Sequence, residues 1–163
     1  MKSSLLYLSF LALPLLFSCG QSGNKNEASK DGLNASTDTI GSKQCFMAVD
    51  QQDTAALTLN SFKDGKITGD LVFDYLDKGK NDGTVSGAYR GDTLFVDYTF
   101  KIGTVNKTIY KNPLAFLKKD GNLILGVGQI ETSLGRSYFV KGKPISFDKG
   151  RFTFKPVACK DSI

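Results

Sequence analysis

Residues 83–100, GTVSGAYRGDTLFVDYTF, decide the fold because they predict two β-strands joined by a turn at Arg90-Gly91-Asp92. Every other residue of the second strand is apolar or aromatic, namely Leu94, Val96, Tyr98 and Phe100. This period of two is typical of a strand with one buried face. The stretch therefore predicts a β-hairpin that places one face against a hydrophobic core.

The same unit recurs along the chain. Two Asp-Gly pairs, at residues 64–65 and 120–121, are strong hairpin-turn signals, and the polar residues 78–83 predict a further turn. Strands are predicted at residues 45–49, 54–62, 67–75, 102–110, 114–118, 123–127, 137–140, 145–147 and 151–158. Pro113 predicts a boundary before 114–118, a segment that is alternatively a helical turn with this proline in its first position.

About nine or ten short strands without a convincing helix predict an all-β domain. We expect an antiparallel meander closed, or nearly closed, into a small lipocalin-like barrel. Glycines fall inside the strand patterns at Gly69, Gly87, Gly126 and Gly128, and they would let strands coil sharply. The alternative is a β-sandwich, which needs longer crossover loops than most of this chain provides.

The N-terminus predicts export and lipidation. Lys2 precedes an apolar run at residues 5–17, which is shorter than the roughly 20 residues of a transmembrane helix. The sequence Leu16-Phe17-Ser18-Cys19 resembles the bacterial lipobox, in which cleavage precedes a cysteine that carries lipid. Residues 1–18 are therefore predicted to be a lipoprotein signal peptide, and Cys19 the lipid attachment site.

Residues 19–43 are predicted to be a flexible tether, and residues 44–163 the barrel domain. Beyond Cys19 the tether contains only Leu33 and Ile40 as large apolar residues, too few to offset its ordering entropy. The tether has no acidic run, which favours a lipoprotein of the outer membrane that faces the periplasm. The membrane is thus a predicted partner, reached through the N-terminal lipid.

Two cysteines remain after Cys19. Cys45 and Cys159 lie at the first and last predicted strands, and an exported chain favours a disulfide between them. The alternative is two buried free thiols. Closure of a barrel would place the first and last strands side by side, as such a bridge requires.

The chain also resembles a family of small Bacteroidota envelope lipoproteins without an assigned activity. The resemblance is carried by residues 16–19, 45–46, 69–71, 83–87, 91–94, 97–100 and 115–119 and by Cys159. It implies one β-rich envelope domain and brings no site residues. Asp38-Thr39-Ile40 is similar to the acceptor triplet of periplasmic O-glycosylation in that phylum, so Thr39 is the candidate glycosylation site.

The composition argues against several classes of chemistry. The chain contains no histidine, so acid–base catalysis near neutral pH would need a strongly shifted carboxylate, lysine or tyrosine. Asp70 and Asp74 on one strand would lie about 13 Å apart, beyond the spacing of a glycosidase pair. Without residues 1–18 the chain has 20 basic and 16 acidic residues, a mild and dispersed excess that does not predict nucleic-acid binding. We predict no catalytic residues, no metal and no cofactor.

We therefore expect a non-enzymatic, lipid-anchored envelope barrel. Fifteen Phe and Tyr residues lie between Phe46 and Phe154, and a small barrel can either hold one ligand or fill its interior with such side chains. The first expectation is that the mouth or lumen binds a small apolar or amphipathic ligand, through residues that the sequence does not identify. The alternative is a filled barrel that acts as a structural module or binds an envelope protein, and a hydrolase is the least favoured class.

Overall fold

The computed structural model describes residues 40–160. Within this range the chain forms ten β-strands and no helix. The strands are β1 (Ile40–Asp50), β2 (Asp53–Phe62), β3 (Lys66–Tyr75), β4 (Gly79–Arg90), β5 (Thr93–Ile102), β6 (Tyr110–Lys119), β7 (Asn122–Leu125), β8 (Ile130–Ser133), β9 (Arg136–Phe139) and β10 (Thr153–Val157). Eight of them close an antiparallel barrel in the order β1-β10-β7-β6-β5-β4-β3-β2, and β8 and β9 form a separate hairpin. The predicted antiparallel barrel is confirmed, and the alternative of a sandwich is not adopted.

Several predictions concern residues outside this range. The signal peptide at 1–18, the lipid site Cys19 and the glycosylation candidate Thr39 all lie outside the described residues. The predicted tether ends earlier than expected, because β1 begins at Ile40 and residues 40–43 belong to the barrel. Their side chains are exposed, but backbone pairing with β2, from Ile40 opposite Phe62 onward, is sufficient to extend the strand.

The central hairpin forms as the sequence predicts. Strands β4 and β5 pair continuously from Asn81 opposite Ile102 to Arg90 opposite Thr93. The alternating residues of β5 are all buried, with exposed fractions of 8% or less at Leu94, Val96, Tyr98 and Phe100. The predicted turn at 78–83 is shorter than expected, because β4 already begins at Gly79 and pairs with β3 from there.

Two of the predicted strand glycines stand where neighbouring strands approach closely. A Cβ atom on Gly69 would overlap the carbonyl oxygen of Thr58, and one on Gly87 would overlap that of Phe95. Gly126 and Gly128 were predicted inside a strand but lie beyond β7, in the connection to β8. There a Cβ atom would meet side chains, Phe147 at Gly126 and Phe139 at Gly128, so these glycines permit side-chain packing and not strand coiling.

Strand β6 differs from its prediction. It runs through Pro113, which was expected to mark its start or to begin a helical turn. Proline is tolerated here because β7 pairs only with residues 116–119 of β6, so no ladder on that side needs an N–H group from Pro113. The strand predicted at 102–110 is mostly a loop, in which Gly103 has a φ of 65°.

A long excursion separates β7 from β10. It contains the β8–β9 hairpin, which the sequence did not predict as a pair, and one isolated bridge between Val127 and Ser146 in place of the strand predicted at 145–147. The chain returns to the barrel where the Leu125 amide donates a hydrogen bond to the Phe152 carbonyl (3.0 Å). Strand β10 then closes the barrel between β7 and β1.

The two ends of the barrel differ in charge. The entry end, where β1 begins and the β2–β3, β4–β5 and β6–β7 turns lie, carries seven basic and three acidic residues: Lys43, Lys63, Lys66, Arg90, Lys118, Lys119 and Lys160 against Asp64, Asp92 and Asp120. The far end carries nine basic and six acidic residues: Lys78, Lys80, Lys101, Lys107, Lys111, Lys141, Lys143, Lys149 and Arg151 against Asp50, Asp53, Asp74, Asp77, Asp82 and Asp148. The entry end is therefore the more positive of the two.

Candidate functional site

The barrel interior is filled by aromatic side chains in contact with one another. Tyr98 stacks on Phe100 with 4.5 Å between ring centroids, and Phe116 meets Phe154 edge to face at 5.5 Å. The Tyr98 hydroxyl lies within hydrogen-bond distance of the backbone carbonyl oxygens of Leu71 (3.0 Å) and Asn81 (3.1 Å). Burial raises the pKa of Tyr98 well above its usual value, so this hydroxyl stays protonated and is available to donate.

This packing leaves little or no accessible surface on the side chains at the centre of the lumen. A cavity wide enough for water would leave accessible surface on the groups that line it. Leu71, Leu94, Phe116 and Phe154 have none, and Tyr98 is 2% exposed. The grooves among the described residues lie instead on the outer wall and at the far end.

The first outer feature is the hairpin groove, which lies between the β8–β9 hairpin and the outer face of β4, β5 and β6. It measures about 790 Å³, and its larger lining side chains are Arg90, Phe95, Asp97, Leu134, Arg136 and Tyr138. The Arg90 guanidinium lies over the Phe95 ring, 5.3 Å from its centroid. Lys111 Nζ contacts Asp97 Oδ2 at 2.8 Å across neighbouring strands.

Leu134 stands at the tip of that hairpin. Its side chain is fully exposed, and its φ is 50°, with Gly135 following at 75°. Two successive positive φ values suit the tight turn between two short strands. A leucine at such a position costs about 1 to 2 kcal/mol, however, where asparagine or glycine would cost less.

The second outer feature is the disulfide groove, about 760 Å³ in volume, whose lining includes Ile40, Cys45, Met47, Thr58, Val157 and Lys160. Cys45 and Cys159 are bonded, with their Cα atoms 5.2 Å apart and a sequence separation of 114. The predicted disulfide is therefore present, and it joins β1 to the segment that follows β10. Ile40, Met47 and Val157 are 52%, 41% and 44% exposed, so this wall of the barrel is apolar and open.

The third feature is the rim cluster at the far end, formed by Asp50, Asp53, Tyr75 and Arg151. Arg151 donates from Nε to Asp50 Oδ2 at 2.6 Å and from its terminal nitrogen to Asp53 Oδ2 at 2.7 Å. A hydrogen bond from the Leu76 amide and a second from Arg151 lower the pKa of Asp53. Burial raises the pKa of Tyr75, and the cluster ties three loops together.

The described residues offer little conventional site chemistry. Among residues 40–160 no group of three or more His, Cys, Asp or Glu side chains is placed to hold a metal ion. No helix within the same range is long and apolar enough to cross a membrane. The carboxylates of Asp50 and Asp53 both form ion pairs with Arg151, and the pKa of Asp53 is lowered.

The sequence did not identify the hairpin groove. Strand β8 is exposed along its whole length, so it carries no period-two pattern of apolar residues to mark it as a strand. The one local sequence signal for the turn of this hairpin is the Leu134-Gly135 pair between Thr132 and Ser137. Leucine is not among the residues that are common in turns.

Comparisons with protein-family models, with curated proteins and with solved structures found no match for this chain. The resemblance to Bacteroidota lipoproteins stays a prediction.

Proposed function

We propose that this chain is a non-enzymatic, lipid-anchored protein of the outer membrane, facing the periplasm, whose filled barrel binds an envelope protein in its hairpin groove. The observation that carries the proposal is the packed lumen. A barrel whose interior is occupied by Phe73, Tyr98, Phe116 and Phe154 has its outer surface left for recognition. The N-terminal sequence to Cys19 supports the anchor and the address.

The composition of the hairpin groove supports a protein partner. Arginine and tyrosine are the residues that most often dominate protein–protein binding energy, and the groove presents Arg90, Arg136 and Tyr138 beside Phe95. Its charges are mixed, because Asp97 lines the groove together with the two arginines. A partner segment with one apolar side chain flanked by polar groups fits this lining.

Leu134 supports the same proposal. Single exposed apolar residues are common. Leu134 also has a positive φ, which is unfavourable for leucine, and its exposed side chain does not offset that cost. Neither its exposure nor its backbone conformation benefits the isolated fold. A partner that covers Leu134 would explain both.

The proposed absence of enzymatic activity rests on residue types and on contacts. The chain has no histidine, and Asp50 and Asp53 each form a close ion pair with Arg151. Hydrogen bonds from the Leu76 amide and from Arg151 lower the pKa of Asp53, so its carboxylate is a poor proton acceptor near neutral pH.

Site-specific cross-linking in cells tests the proposal. A photo-crosslinking amino acid is placed at Leu134 and, as control, at Val105, which is 90% exposed in the far-end loop. We expect one dominant envelope protein to be captured from position 134 and not from 105. Two matched variants change tyrosines of similar exposure, Tyr138 at 42% and Tyr110 at 36%. Tyr138→Ala should reduce the capture from position 134 by about tenfold, and Tyr110→Ala should leave it unchanged. Equal capture from both positions, or none, would contradict the proposal.

A second candidate function is the binding of a small amphipathic ligand in the disulfide groove. Its volume of about 760 Å³ falls within the usual range of ligand pockets, and Ile40, Met47 and Val157 give it an apolar wall. Lys43 and Lys160 at its edge would suit an anionic head group. A co-purifying compound that is lost from Met47→Asp would favour this candidate over the protein partner.

A further inference from the structure

The path of the chain sets which end of the barrel approaches the bilayer. The described chain enters the barrel at Ile40, at the entry end, and the segment before it leads back to Cys19. If Cys19 carries lipid, as proposed above, the tether draws the entry end toward the membrane surface. The inference that follows rests on that part of the proposed function.

The entry end is also the more basic end. Its three turns present Lys63, Lys66, Arg90, Lys118 and Lys119 to solvent, and the remaining basic residues of this end lie on β1 and after β10. The Lys118 amide donates to the Asp92 carbonyl at 2.8 Å and holds the β4–β5 and β6–β7 turns together, and Lys66 opposite Ala88 places the β2–β3 turn beside the β4–β5 turn. The basic groups therefore form one surface.

The three aspartates of these turns do not cancel that charge. Each lies in a turn with at least one basic residue, so every turn is neutral or positive. Asp64 also serves its own turn, where its carboxylate accepts a hydrogen bond from the Lys66 amide at 3.0 Å. The net excess at this end is four positive charges among ten charged residues, against three among fifteen at the far end, where Arg151 is paired with Asp50 and Asp53.

We propose that the entry end binds the anionic headgroups of the membrane surface, as a second contact in addition to the lipid on Cys19. Basic side chains close to an anionic bilayer each strengthen binding by about fivefold, and the attraction falls off within a Debye length of about 8 to 10 Å. This contact holds the barrel upright on the surface.

Vesicle binding by the fragment Ser36–Ile163 tests the inference. Every strand of the barrel, the buried core and both cysteines of the bridge lie within this unit, so the fragment retains the complete fold. It should sediment with vesicles of equal parts phosphatidylcholine and phosphatidylglycerol and not with phosphatidylcholine alone. Raising the salt from about 0.1 M to about 1 M should release it.

Two matched triple variants locate the contact. The entry-end variant Lys63→Gln, Lys118→Gln, Lys119→Gln should bind the anionic vesicles at least about tenfold more weakly. The far-end variant Lys78→Gln, Lys80→Gln, Lys107→Gln removes the same charge from exposed positions and should bind within about twofold of the parent. Circular dichroism and an intact disulfide control for folding in both.

Three results would overturn the inference: no binding to anionic vesicles, equal binding to neutral ones, or equal losses in the two variants. The lipid anchor is tested separately, because the fragment does not contain Cys19. A mass spectrum of the full protein without acyl chains would overturn the anchor and leave the vesicle result standing. Failure of the vesicle experiment would leave the anchor standing.

Discussion

At Gly87 the two strands of the central hairpin come so close that no side chain fits between them. A Cβ atom there would overlap the carbonyl oxygen of Phe95, which is fixed in the ladder. Gly91, in the turn of the same hairpin, has open space around it and a φ of 59°. The two glycines therefore serve different purposes, one steric and one conformational.

We predict that Gly87→Ala lowers the free energy of unfolding by about 2 kcal/mol or more, because either the backbone or Phe95 must shift. The control Gly91→Asn should cost less than about 1 kcal/mol, since asparagine tolerates a left-handed φ. Urea denaturation of both variants measures the difference. Equal midpoints for the two would contradict the steric role of Gly87.

Asp53 gives the fold a pH dependence. Its carboxylate accepts hydrogen bonds from the Leu76 amide and from Arg151, and both lower its pKa in the folded state. A lowered pKa contributes stability above the unfolded value, about 3.9, and this contribution is lost as the pH falls through the folded value. We predict that Asp53→Asn lowers the urea midpoint at pH 7 and that its gap to the wild type narrows below about pH 4.

The control for this prediction is Asp77→Asn, an exposed aspartate at the same end of the barrel. It should show little change in midpoint at either pH. A gap for Asp53→Asn that stays constant from pH 7 to pH 3 would show that the hydrogen bonds of Asp53 do not depend on its charge.

Single residues also show where sequence patterns fail. Pro113 predicts a strand boundary, yet β6 continues through it because the facing side of the strand has no partner at that point. Whether a proline interrupts a ladder depends on how far the neighbouring strand reaches. That length is set by tertiary structure, so the local sequence does not contain it.

Among the elements, β10 makes the weakest ladder of the barrel. It pairs three residues with β1 and only two with β7, whereas all ten residues of β5 pair with β4. The disulfide between Cys45 and Cys159 reinforces this seam from the end of β10. Closure of the barrel therefore depends on a covalent bond as well as on pairing.

We predict that the double variant Cys45→Ala, Cys159→Ala loses about 4 to 5 kcal/mol of stability, the chain-entropy value for a loop of over 100 residues. Amides of β10 should lose hydrogen-exchange protection first, because they have the fewest ladder partners. The wild type in excess reductant should behave like the variant. Two alkylatable thiols in the non-reduced, denatured wild type would contradict the bridge itself.

Elements that touch the core were predictable from their residues, and outside the core the strand predicted at 137–140 corresponds to β9, whereas β8 and its pairing with β9 were not predicted. Strand β5 carries a period of two because one of its faces is buried, so its register follows from its residues. Strands β8 and β9 form a hairpin on the outer wall with mostly exposed side chains, so their pairing leaves no such pattern. The candidate groove lies beside that hairpin, and it was missed for the same reason.

At the scale of the whole molecule, sequential hairpins and terminal cysteines were sufficient to predict a closed barrel. They were not sufficient to predict whether its lumen is empty or filled. That outcome depends on which aromatic side chains meet across the interior, such as Phe116 and Phe154, and these come from strands that are distant in sequence. The expectation of a ligand in the mouth or lumen stays a prediction, although the packing favours the outer wall.

The central claim is that the barrel is filled and acts through its outer surface. Native mass spectrometry of Ser36–Ile163, purified from a bacterial periplasm, tests it most directly. We predict a native mass equal to that of the oxidised polypeptide, with no companion released on denaturation. A releasable companion of a few hundred daltons that is still bound by both Met47→Asp and Tyr138→Ala would contradict the claim, because neither groove on the outer wall would then hold it.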